Sequence, residues 1–170
     1  PLLAKPLTRD EFYLGKFAGL VFTLLVNLAV MTGGMYLTLL GTGRGFDAGL
    51  MTAVYPILLG LVLVVAFAML FSTLTSSTLA SVFTVGVVLA GRFSDVVRNM
   101  RQVAPSVPTW LVDLLYVVLP NFRNFVFKDR VVYGEAVPVA VLGWVTLYAA
   151  AYVGIVLTLG LVSFRRRDFQ

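Results

Sequence analysis

The chain has 170 residues, of which 59% are hydrophobic and 12% charged, and its mean hydropathy is +0.95; a soluble domain carries about 25% charged residues, so the composition predicts an integral membrane protein. Thirteen Lys and Arg against eight Asp and Glu give a net charge of +5, which suits contact with anionic headgroups and does not imply nucleic acid. With no Cys and no His, disulfides, thiolate chemistry, imidazole metal ligands and His-based acid–base catalysis are excluded.

The first predicted element is a capped helix start. Thr8 followed three residues later by Glu11 is a capping-box pattern, and Asp10 and Glu11 suit the positive end of the helix dipole. Nothing before it resembles a signal peptide, because Lys5 precedes any apolar run; since the chain opens on Pro1, a fragment lacking its upstream portion is expected. The polar start runs directly into residues 17–43, which hold no charge and at helical rise reach about 40 Å, more than the roughly 30 Å hydrocarbon core. A span over 17–40 follows. Asn27 and the Gly33-Gly34 pair interrupt it and predict a face packed inside a bundle, with Asn27 also a candidate translocation-path position.

Residues 41–48 read as a Gly-rich turn; the GTGRG string lacks the Lys-Ser/Thr ending and strand context of a phosphate loop. The uncharged stretch 48–91 is about 66 Å long as helix, so it must fold back once. Hydroxyls at 72–78 (STLTSST) can satisfy the freed carbonyls there, giving spans at 48–71 and 78–93, the latter short and expected to continue as helix to Met100. Pro56 inside the second span predicts a kink and is a candidate packing or path position. Residues 94–135 form a polar loop containing an apolar stretch, 107–119, read as an interfacial or re-entrant helix; within it, Asp113 is a candidate proton or cation site or a solvated carboxylate. The last span, 136–163, carries Ala149 to Ala151 and Gly154 as a close-packing face and Tyr148 and Tyr152 as packing aromatics. It ends at the basic cluster Arg165 to Arg167, which suits the cytoplasmic side.

The expected fold is therefore all-α: a polytopic transmembrane bundle of four spans with both ends on one side. Lys and Arg counting gives six at the terminal side and seven opposite, which does not fix the orientation. No catalytic motif is present. There is no G-x-S-x-G elbow, no Walker A loop and no pair of carboxylates inside a span. The uncharged midplane points to a transporter powered from outside the bilayer or to a scaffold, with a proton-coupled carrier dependent on Asp113 as a third class.

Four stretches in order carry a family resemblance: PLTRDEFYLGKFAG from Pro6, LFSTLTSSTLASVFTVG from Leu70, LPNFRNF from Leu119 and FRRRDF from Phe164. The chain resembles the type 2 ABC transporter permeases, in which a Pro-x-x-Arg pattern leads to a Gly-Lys pair at the start of a span; Pro6, Arg9, Gly15, Lys16 and Gly19 carry that match. The resemblance implies a non-catalytic permease of a prokaryotic cytoplasmic membrane, lacking here its first two spans. It also implies a homodimer or paired permease and a separate ATPase subunit that binds ATP and Mg. Residues 5–16 would be its cytoplasmic coupling helix. Pro6, Thr8, Arg9, Asp10, Glu11, Gly15 and Lys16 would form the coupling set, with Arg9, Asp10 and Glu11 against the ATPase and Lys16 at headgroup level. The alternatives are an ATP-independent scaffold or assembly factor docking through 94–135, and, for the coupling residues, a solvated interfacial helix with snorkelling cations.

Overall fold

The computed structural model describes residues 8–43, 48–92, 120–125 and 138–166, and among these the regular structure is entirely helical. Helix α1 spans Arg9–Gly41, so the polar start and the first apolar segment are one helix of 33 residues, about 50 Å long. Thr8 caps it, and Gly43 at φ +72 closes its other end, donating its N–H to the Leu40 carbonyl at 3.1 Å. That left-handed conformation is one that glycine adopts without steric penalty. Helix α2 spans Ala48–Leu74, α3 Ser77–Arg92 and α4 Val139–Arg166. Three of them, α1, α2 and α4, are long and apolar enough to cross a membrane. Helix α3 has 16 residues, about 24 Å of rise against a core of roughly 30 Å, and its expected continuation to Met100 lies outside the described residues.

The fold-back falls at Thr75 and Ser76. Hydroxyl donation holds it: Thr73 to the Leu70 carbonyl at 2.7 Å and Thr75 to the Phe71 carbonyl at 3.0 Å. Helix α2 is central, touching α1, α3 and α4. Its Leu63, Ala66 and Phe67 pack against Val145, Ala149 and Val156 of α4. The helix runs unbroken through Pro56, which is fully buried, and one residue earlier the Tyr55 hydroxyl is hydrogen-bonded to that of Thr146 at 2.9 Å, stitching α2 to α4.

The two expected close-packing faces meet few neighbours among the described residues. Asn27, Gly33 and Gly34 are exposed, and nothing lies within 4 Å of a Cβ built on either glycine. In the apolar part of α1 the half-buried positions are Phe17, Val21, Leu24, Leu28, Thr32, Tyr36 and Leu39, a seam at spacings of three and four that turns Asn27 and Gly34 away from it. On α4, Ala149 is buried, whereas Gly154 has open space around it.

Residues 122–125 form a 3-10 turn, Phe122–Phe125, wedged against α2, α3 and α4. Its two rings, three residues apart and so on one side of such a turn, are buried. Phe125 faces Gly60, its Cβ 3.2 Å from where a Cβ on that glycine would stand; Phe122 and the Pro120 carbonyl crowd Gly91, whose added Cβ would meet the Phe122 ring at 2.6 Å. The Asn121 N–H donates to the Tyr148 hydroxyl at 2.9 Å. Gly60 lies about 18 Å along α2 and Tyr148 about 14 Å along α4, so this part of the polar loop enters between the long helices. Backbone enclosed between helices in this way needs its polar groups satisfied by the protein.

Candidate functional site at the charged helix ends

The capping box forms. The Thr8 N–H donates to Glu11 Oε2 at 2.9 Å, and the Glu11 N–H donates to the Thr8 hydroxyl at 3.3 Å. The Thr8 N–H first, and then the Thr8 hydroxyl, hold the Glu11 carboxyl below its ordinary range. Next to it, the Asp10 carboxylate takes a two-pronged contact from Arg165, 155 residues away: Nε to Oδ1 at 2.8 Å and Nη2 to Oδ2. Hydrogen bonding by Arg165 lowers the Asp10 pKa, and its charge adds to the effect. Planar bidentate pairing of this kind fixes geometry as well as charge.

Apolar contacts continue the junction inward. The Tyr13 ring is buried and lies 5.7 Å from that of Phe164, and Phe12 stacks on Phe164 at 6.5 Å. Tyr13 reaches α4 through a notch left by Gly160, where an added Cβ would collide with the phenol hydroxyl. Among the described residues that hydroxyl is buried with no hydrogen-bond partner. The first turns of α1 and the last turns of α4 are thus clasped by one ion pair, three aromatic rings and one glycine notch.

Of the coupling set, Thr8, Asp10 and Glu11 lie in this clasp or its cap. Arg9, Gly15 and Lys16 are exposed on the same helix end, and Pro6 lies outside the described residues, as does Asp113. Asn27 and Pro56 are remote from it. Sequence reasoning missed Tyr13, Gly160 and the partnership of Asp10 with Arg165. The available signal was a matching pair of patches, Asp10 to Tyr13 and Phe164-Arg165, each an aromatic beside a charge. Among the described residues no group of three or more Asp or Glu side chains could hold a metal ion.

No family model, curated protein or solved structure matches the chain.

Proposed function

We propose that this chain is the membrane-spanning permease part of an ATP-driven exporter of the type 2 ABC kind, itself non-catalytic. A separate ATPase subunit binds and hydrolyses ATP at the cytoplasmic face. The exposed surface of residues 8–16, with Arg9, Glu11 and Lys16, receives that subunit; Asp10, whose carboxylate is taken by Arg165, serves the joint between helices. The observation that carries this reading is that the polar tip and the apolar span are one uninterrupted helix, clasped at the tip to α4. A push on the tip therefore moves two long helices together. Helices transmit such displacement because their backbone hydrogen bonds resist bending except at Pro or similar defects, and α1 contains no Pro.

Co-expression of the full-length protein with candidate ATPase subunits tests this. The expected result is a stable complex whose ATP turnover differs from that of the ATPase alone, and which Arg9→Glu disrupts while membrane insertion is retained. Purification of the wild-type protein without any nucleotide-hydrolysing partner would overturn the reading.

A further inference from the structure

Between α2, α3 and the 122–125 turn lies a cavity of about 380 Å³, within the roughly 300–1,000 Å³ span of small-ligand sites. It is elongated along the helices. Because α2 and α3 run antiparallel across the Thr75-Ser76 turn, Val64 and Thr84 line one end and Ile57 and Arg92 the other. From Thr84 to Arg92 the rise is about 12 Å. The walls are aliphatic, and Phe122 and Phe125 close one side. The Thr84 hydroxyl is satisfied by the Ala80 carbonyl at 2.7 Å, so it makes no demand on an occupant. Among the described residues Arg92 is the one charged residue in the lining, and no hydrogen bond or ion pair with another of them engages it.

We propose that this cavity holds one acyl chain of a phospholipid with an anionic headgroup, whose phosphate pairs with the Arg92 guanidinium. An apolar cavity offers water too few polar partners to fill it, and beside a bilayer an acyl chain is the occupant of matching shape and polarity. Arg92 stands about 23 Å along the direction of α3 from Ser77, near the far boundary of a roughly 30 Å core. At that level a guanidinium reaches outward for an anion, and phosphate matches its forked donors. A headgroup without its own ammonium leaves that phosphate uncompensated. Anionic lipid is therefore preferred over phosphatidylcholine, and the site operates with or without an ATPase.

The test is native mass spectrometry of the full-length protein released from nanodiscs of equal phosphatidylglycerol and phosphatidylcholine. The expected result is one retained phosphatidylglycerol, favoured about tenfold, the ratio one charge-assisted hydrogen bond supports. Arg92→Gln should abolish the preference and Arg92→Lys retain part of it. A phosphatidylglycerol with a photoreactive acyl chain should label Val88 or Leu89. Equal retention of the two lipids by wild type, an unchanged preference in Arg92→Gln, or labelling that spares α3 would each overturn the proposal.

Discussion

At Gly160 a single added side chain would have to share space with the Tyr13 phenol, and the same crowding recurs at Gly91 against the Pro120 carbonyl and the Phe122 ring. Overpacking a tight contact costs about 1–3 kcal/mol, which exceeds the gain of up to about 1 kcal/mol from replacing a helical Gly by Ala. Gly91→Ala and Gly160→Leu are therefore expected to lower stability in a thermal melt in detergent. Gly154→Ala, which meets open space, is expected to be neutral or mildly stabilising. Tyr13→Phe separates packing from hydrogen bonding. An unpartnered buried hydroxyl costs about 1–3 kcal/mol, so removing it should leave stability equal or higher; a clear loss would mean that the hydroxyl has a partner. The sequence made the cap legible because Thr8 and Glu11 are three residues apart and their chemistry is local. It did not make the glycine notch legible, since nothing near Gly160 in the chain distinguishes it from Gly154.

For the elements, the clasp decides how α1 and α4 sit together, and it responds to pH in a defined direction. The Asp10 carboxyl has a folded pKa below its ordinary 3.8, so the clasped form binds fewer protons than the open form between those two values. Its contribution is fully present above 3.8, and it fades as pH falls below 3.8 through the lowered value. Spin labels at Leu14 and Val162 should report one short distance at neutral pH and a broadened distribution once the carboxylate is protonated. Asp10→Lys should broaden it at neutral pH, and adding Arg165→Glu should narrow it again; a broad distribution in the double variant would show that the charge pair does not hold the ends. The fold-back was readable from its run of hydroxyls, whereas α1 begins eight residues before its uncharged stretch, at Arg9. On α1, Leu28, Thr32, Gly33 and Tyr36 line the groove against α2, whereas Asn27 and Gly34 are exposed among the described residues, so a small or polar residue in a span does not by itself say which side its neighbour takes.

Across the whole molecule, Lys and Arg counting could not relate the start of α1 to the end of α4, whereas the Asp10–Arg165 pair puts them together. The buried 122–125 turn was equally hidden: Asn121 and Arg123 mark the stretch as polar, yet its backbone is held by Tyr148 and its rings by α2 and α3. If residues 8–16 receive an ATPase as proposed, a push on the capped tip reaches α4 only while the clasp is closed. The sequence has no cysteine, so Asp10→Cys and Arg165→Cys can be joined without competing thiols by a bifunctional thiol reagent long enough to replace the lost Arg side chain. The measurement is ATP turnover of the proposed ATPase complex of this double variant, before and after cross-linking. The expected result is a rate that departs from the wild-type complex before cross-linking, when the ion pair is missing, and returns to it afterwards. A rate equal to wild type before cross-linking, or no recovery after it, would show that coupling does not pass through the clasp.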